Sequence, residues 1–193
     1  KTVLELRGSD AFTILDEADI EAAPQIAAKA RYQNTGQSCI AAKRFIVVEA
    51  VADEFERAFV KATEALKVGD PLDTATQVGA MARRDLRDEL DRQVRASLAQ
   101  GAKALIGAEA LSGPGAFYAP TILTNVTPEM TAFKEETFGP VAAVIHAKDE
   151  ADAIRLANDS PFGLGGAVWT RDTARGERVA AQIESGAVFI NGM

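Results

Sequence analysis

The sequence contains few of the residues from which disulfides, metal sites and histidine-based active sites are built. Its 193 residues include one cysteine and one histidine. A single cysteine excludes an internal disulfide and any multi-cysteine metal site. A single histidine excludes a histidine-rich metal site and makes histidine-based catalysis an unfavoured hypothesis. We therefore predict no bound metal.

Positive charge and long apolar runs are also scarce. Lys and Arg number 21 against 28 Asp and Glu, which gives a net charge of −7. Nucleic-acid-binding proteins usually carry a basic patch or stripe, and none is visible here. No apolar run approaches the ~20 residues of a membrane span, and no signal-peptide pattern opens the chain. We predict a cytoplasmic protein with neither a nucleic-acid nor a membrane partner.

Short apolar strands alternate with amphipathic helices along the chain. Residues 45–48 and 141–146 form β-branched or apolar strand runs, whereas residues 55–66 place apolar side chains at helical spacing. Asp149 and Asp172 are typical N-caps of two later helices. Because such alternation is typical of a sheet covered by helices, we predict an α/β fold with a largely parallel twisted sheet flanked by helices.

Proline complicates two of these elements. A helix pattern covers residues 16–32, but Pro24 within it predicts either a kink or a late helix start. Residues 117–126 look extended, and Pro120 within them predicts an edge or irregular strand.

The ends of the sequence suggest a piece of a longer chain. The sequence starts at Lys1 without an initiator methionine and stops at Met193 just after a strand-like run. We interpret residues 1–193 as a single domain from a longer protein.

Cys39 and Glu5 are the first candidates for chemistry. Cys39 follows a polar, glycine-containing loop over residues 33–38. A lone cysteine is more often a small buried hydrophobe, but such a loop can present a nucleophile to a cleft. Glu5 lies between apolar residues, which fits either a solvated strand face or a general base with a raised pKa.

Three other features favour a structural interpretation when taken alone. Residues 134–141 combine a charged helix end with a Gly-Pro turn. His146 lies inside an apolar strand and is predicted to be structural. The glycine-rich run 163–166 lacks the GxGxxG spacing of a phosphate loop.

Taken together, the motifs resemble the catalytic domain of the NAD(P)-dependent aldehyde dehydrogenase superfamily. Residues Leu4–Gly8 are similar to its glutamate signature Leu-Glu-Leu-Gly-Gly, and Asn34–Cys39 resembles its cysteine signature. Glu136–Val141 resembles its Glu-x-Phe-Gly-Pro-Val segment. Asn158–Leu164 and Gly186–Asn191 are similar to later landmarks, in the same order. The resemblance covers essentially the whole chain.

The resemblance implies a role for each of four residues. Cys39 would attack the aldehyde carbonyl, its backbone N–H would form half of an oxyanion hole, and hydride would pass to the nicotinamide of NAD or NADP. Water activated by Glu5 would then hydrolyse the thioester. Glu136 would bind the nicotinamide ribose, and Phe138 would brace the ring. The residues from Cys39 to Phe45 most resemble succinate-semialdehyde dehydrogenases, which implies a short semialdehyde substrate.

The sequence also departs from the family pattern. Arg7 stands where the family has glycine, and no Rossmann-type cofactor domain is present. We therefore expect a catalytic domain that binds cofactor poorly by itself, within a parent protein that is a homo-oligomer. Two other hypotheses stay open at this stage: a cofactor-independent thiol hydrolase or acyltransferase that uses Cys39, and a non-catalytic fold fragment.

Overall fold

A computed structural model describes residues 7–193 of the chain. The strands are β1 (Asp10–Ile14), β2 (Ala42–Val48), β3 (Lys103–Ile106), β4 (Thr121–Thr124), β5 (Val141–Ala147), β6 (Gly165–Trp169) and β7 (Ala187–Ile190). The helices are α1 (Ala23–Tyr32), α2 (Glu49–Glu64), α3 (Arg84–Ala99), α4 (Thr131–Lys134), α5 (Glu150–Asn158) and α6 (Thr173–Ala180).

These strands form one sheet with the order β3-β4-β5-β2-β1-β6-β7. Every neighbouring pair is parallel except β3 and β4, which are antiparallel. Parallel neighbours require crossover connections, and helices provide most of them here. The predicted α/β fold, a largely parallel sheet flanked by helices, is confirmed.

The two faces of the sheet bury separate apolar clusters. Along β2, Phe45 and Val47 pack with α1 and α2, whereas Ile46 and Val48 pack on the opposite face with α3, α5 and α6. Successive strand residues point to opposite faces, so a strand covered on both sides must be apolar at nearly every position. This explains why the strand runs read as continuous apolar segments.

The two elements that contain proline have different outcomes. Helix α1 begins at Ala23 with Pro24 in its first turn, which confirms the late start. Of the two alternatives around Pro120, the edge strand is wrong, because β4 lies between β3 and β5. The irregular strand is confirmed, because the register of the β3–β4 pairing shifts between Ala104 and Ile106. Pro120 precedes the first residue of β4, so its missing N–H removes no hydrogen bond from the ladder.

Among the helices of residues 7–193, none is long and apolar enough to cross a membrane.

Candidate active site

The segments that precede four neighbouring parallel strands lie together at one end of those strands. Strands β5, β2, β1 and β6 are consecutive in the sheet and run in the same direction. Their amino ends therefore lie side by side. The segments that enter them there are 136–140 before β5, 37–41 before β2, 7–9 before β1 and 162–164 before β6.

A cleft of about 680 Å³ opens between these segments and α3. Cys39, Glu136 and Phe138 all contribute to its lining. The structure thus brings together three of the four predicted site residues, although they come from segments far apart in the sequence. The fourth, Glu5, lies outside the described residues.

The Cys39 segment (residues 37–41) follows an unusual turn. Residues 34–36 all have positive φ, at 50°, 55° and 71°, a region that non-glycine residues seldom occupy. Asn34 Nδ2 donates to the Gln37 carbonyl at 2.8 Å, and Gln37 Oε1 accepts from the Ala82 N–H at 2.8 Å. These bonds hold the turn, and Cys39 is left partly exposed in the cleft as a free thiol.

Glu136 is one of three glutamates that line the cleft with Cys39, together with Glu89 and Glu135. Its side chain is only 7% exposed. Oε1 accepts from the Gly8 N–H at 3.1 Å and lies 3.5 Å from the Lys43 ammonium. Within residues 7–193, Oε2 accepts no hydrogen bond, whereas Oε1 is held by Gly8 and Lys43.

Phe138 follows Glu136 in the same segment and is 37% exposed. The residues on either side of it, Thr137 and Gly139, are buried, so the segment is anchored while the ring lines the cleft. Gly36 packs closely on this anchor, because a Cβ there would lie 2.6 Å from the Gly139 carbonyl carbon. The turn that precedes the Cys39 segment is therefore in direct main-chain contact with the segment that carries Glu136.

Three buried cations support these segments through main-chain carbonyls. Arg31 donates to the carbonyls of Gly36 and Ala42, and Lys43 donates to three carbonyls around Cys39. Arg44 donates to the carbonyl of Ser9 and to two at the end of α5. Burial lowers the pKa of each arginine to about 10 and that of Lys43 to about 8.

These three cations are not among the site residues predicted from the sequence. Lys43 and Arg44 lie four and five residues after Cys39, but closeness in the sequence alone does not place a side chain. The available signal was their position at the start of a strand that is otherwise apolar. A charge in such a strand must find buried partners, and here the partners are the carbonyls of the site segments.

Gly8 and Arg7 enter the site from the segment before β1. Gly8 is buried, and a Cβ there would lie 3.2 Å from the Cys39 carbonyl carbon and still closer to its oxygen. Arg7 is exposed and lines the cleft. A side chain is therefore accommodated at position 7 but not at position 8.

The remaining candidates lie outside this arrangement. His146 Nε2 contacts Glu56 Oε1 at 2.7 Å, on the face of the sheet near α2. The hydrogen bond with Glu56 raises the pKa of His146, although burial opposes this shift. Gly165 and Gly166 are residues of β6, so the glycine run forms no phosphate-binding turn. No three His, Cys, Asp or Glu side chains of residues 7–193 are grouped closely enough to hold a metal ion.

Comparison with known proteins agrees with the geometry of the cleft. A family model described as "Aldehyde dehydrogenase family" matches residues 1–193. The chain is 56% identical over 192 residues to a succinate semialdehyde dehydrogenase [NAD(P)+] of Escherichia coli, and covers 42% of that protein. It is 50% identical over 192 residues to a succinate-semialdehyde dehydrogenase [NADP(+)] of Mycobacterium avium, and covers 41% of it. All of this chain is covered in both alignments.

Solved structures show the same similarity. Betaine aldehyde dehydrogenase from Staphylococcus aureus, crystallised in complex with NAD+, superposes with a TM-score of 0.94 at 34% identity. The match covers 98% of this chain and 38% of that one. The chain therefore spans about two fifths of the length of the proteins it matches.

Proposed function

Because this chain belongs to the aldehyde dehydrogenase family, we propose that it is the thiol-bearing catalytic part of an NAD(P)+-dependent oxidoreductase. The reaction is the oxidation of a short semialdehyde, such as succinate semialdehyde, to the carboxylate. The observation that carries the proposal is the meeting of Cys39, Glu136 and Phe138 in one cleft at the amino ends of the central strands.

Cys39 is the nucleophile in this proposal. Its Sγ attacks the aldehyde carbon and forms a C–S bond, while negative charge develops on the carbonyl oxygen. The Cys39 N–H has no acceptor among residues 7–193, so it is available to donate to that oxygen. The same residue thus supplies the nucleophile and one oxyanion donor.

Glu136 and Phe138 fit the nicotinamide ribose end of a dinucleotide. Glu136 has one carboxylate oxygen held by Gly8 and another without a donor in the described part of the chain, which suits a ribose hydroxyl. Phe138 provides an apolar ring surface in the same cleft. When bound, NAD(P)+ would supply the two-electron oxidant by accepting the aldehyde hydrogen as hydride, which would leave the substrate joined to Cys39 as a thioester. The proposal assigns the adenosine half of the cofactor to a Rossmann-type domain outside this chain.

Glu5 is the general base in the last step. In this role it takes a proton from water, which attacks the thioester carbon. The C–S bond then breaks, and Cys39 leaves as a thiolate while the carboxylate product departs. The role of Glu5 rests on the similarity of Leu4–Gly8 to the glutamate signature of the family.

The substrate class rests on the relatives. The two sequences aligned at 56% and 50% identity are both named for succinate semialdehyde. Their names also include NAD(P)+ and NADP(+), respectively. We therefore propose a semialdehyde as the substrate and either nicotinamide cofactor as the oxidant.

The proposal is tested by steady-state oxidation of succinate semialdehyde by the full-length protein with each nicotinamide cofactor. Cys39→Ala removes the nucleophile, so turnover should fall by at least about 10³-fold. Ser112→Ala, in an exposed loop away from the cleft, is the matched control and should retain wild-type turnover. Full activity in the Cys39→Ala variant would overturn the assignment.

Rapid mixing separates the role of Glu5 from that of Cys39. Glu5→Gln should keep the initial burst of reduced cofactor but slow the steady state by about 100-fold, because only thioester hydrolysis needs the base. A Glu5→Gln variant that loses the burst of reduced cofactor but keeps the wild-type rate of thioester hydrolysis would contradict this role.

A further inference from the structure

Lys43 is a buried charge beneath the thiol-bearing segment. It is the second residue of β2 and only 1% exposed. Its ammonium donates to the carbonyls of Ser38 at 2.9 Å, Cys39 at 3.1 Å and Ala41 at 3.1 Å. A lysine ammonium has three N–H donors, and these three carbonyls use all of them. Three carbonyl groups of the Cys39 segment therefore surround one positive charge.

The same ammonium also faces the carboxylate of the opposite segment. Glu136 Oε1 lies 3.5 Å from Lys43 Nζ, and both side chains are almost fully buried. This oxygen is also the acceptor of the Gly8 N–H. Lys43 therefore lies between the segment that carries the thiol and the side chain that carries the ligand-binding oxygen.

Lys43 lies where the regular pairing of β2 is interrupted. Asp10 of β1 pairs with Ala42 and Ala11 pairs with Arg44, so the register shifts at Lys43. Such a β-bulge adds one residue to a strand and changes the direction of its side chain. Because burying an ammonium is costly unless it is paired and hydrogen-bonded, the nearby carbonyls and carboxylate are what make lysine tolerable here.

We infer that Lys43 is a positioning residue whose ammonium holds the Cys39 segment and the Glu136 carboxylate in a fixed relation across the cleft. Presentation of the thiol and binding of the nicotinamide ribose then depend on one buried charge. The ribose half of this inference rests on the proposed function, whereas the ordering of the Cys39 segment does not.

The test compares Lys43→Met, which removes the charge at similar length, with Lys43→Arg, which keeps it, in the full-length protein. Lys43→Met should raise the KM for NAD(P)+ by about tenfold and lower kcat by about tenfold, while the KM for the aldehyde changes less than about threefold. Lys43→Arg should recover most of the cofactor KM. Lys61→Met, an exposed lysine on α2, is the matched control and should match the wild type.

Hydrogen exchange without cofactor gives a readout that does not depend on activity. In Lys43→Met, exchange of residues 37–41, measured at the hydrogen-bonded amides of Gln37 and Ala41, should be about tenfold faster, because the segment loses its three carbonyl contacts. Glu136→Gln should increase the cofactor KM as well. The double variant should raise it no further than the larger single effect, because both changes break the same contact.

The outcomes distinguish this inference from the proposed function. If Glu136→Gln raises the cofactor KM but Lys43→Met leaves it within about twofold of wild type, Lys43 has no positioning role and Glu136 keeps its ribose role. If Glu136→Gln has no effect on the cofactor KM, the ribose role itself fails. Wild-type exchange of residues 37–41 in Lys43→Met overturns the inference in either case.

A second variant covers the possibility that Lys43→Met does not fold. Glu136→Gln leaves Lys43 in place but removes the charge that it faces. If the ammonium couples the two segments, exchange of residues 37–41 should still accelerate by about threefold in this variant. Glu64→Gln, at the exposed end of α2, is its control. Unchanged exchange in Glu136→Gln would overturn the coupling.

Discussion

Replacing Gly8 by alanine should displace the Cys39 segment and thereby reduce catalysis. Gly8 is buried two residues before the start of β1. A Cβ there would lie 3.2 Å from the Cys39 carbonyl carbon and under 3.0 Å from its oxygen, a separation that real Cβ atoms essentially never show. The third neighbour is Leu164 Cδ2 at 3.3 Å. The first two atoms are main chain, so no side-chain rotation relieves the overlap.

The size of the effect follows from the displacement that is needed. Relaxed non-bonded contacts lie near about 3.5 Å, so the Gly8 and Cys39 segments must separate by on the order of 1 Å. A misplacement of about 1 Å can cost on the order of 100-fold in rate. The same movement disturbs the Gly8 N–H bond to Glu136 Oε1 at 3.1 Å. We therefore expect kcat/KM to fall about 100-fold, with a loss of about 1–3 kcal/mol in the free energy of unfolding.

The assay is steady-state oxidation of succinate semialdehyde with NAD(P)+ by the full-length protein, with circular dichroism to confirm the fold. Gly79→Ala is the matched control, because a Cβ at Gly79 would lie 3.5 Å from Pro71 Cβ, an ordinary contact. A folded Gly8→Ala variant whose kcat/KM stays within about threefold of wild type would refute the argument.

Two further predictions concern stability, measured by urea denaturation. Phe59→Ala should lower the free energy of unfolding by about 3–5 kcal/mol, because Phe59 is fully buried with its ring 4.9 Å from that of Phe45. Leu72 is 89% exposed, so the control variant Leu72→Ala should change this free energy by less than about 0.5 kcal/mol. The hydrogen bond to Glu56 raises the pKa of His146 above the usual histidine value of about 6.5, so the stabilisation is present below that value and lost as pH rises through the native pKa. The free energy of unfolding of the wild type should therefore exceed that of His146→Gln by a margin that is about 1 kcal/mol larger at about pH 5.5 than at about pH 9. A margin that does not change with pH would exclude this pairing.

Features that depend on a few neighbouring residues were predictable from the sequence. Asp149 and Asp172 cap their helices as predicted, because each accepts from an N–H three residues later, at 2.9 and 3.1 Å. The late start of α1 follows from Pro24, which suits only the first turn of a helix. Such features follow from local backbone geometry, so no tertiary information is required.

The position of β4 shows where this reasoning fails. Pro120 is a valid sign of an edge when it interrupts a strand, but here it lies just before Thr121, whose N–H donates to the Pro140 carbonyl at 2.9 Å. The antiparallel strand β3 then covers the outer side of β4. Pairing between distant segments decides which strand lies at the edge of the sheet. A local sequence pattern does not determine that pairing.

For the site, the sequence by itself determined the chemical groups and their local setting. It identified one thiol after a glycine-containing turn, whereas Glu136 and Phe138 became candidates only through the family resemblance, because residues 134–141 favour a structural interpretation when taken alone. Only the tertiary structure decided that Cys39 and Glu136 share a cleft and that Gly8 and Lys43 connect them. The physical reason is that parallel pairing of β5, β2 and β1 aligns their amino ends. The carbonyls of the entering segments can therefore converge on buried cations, although these residues are widely separated along the chain.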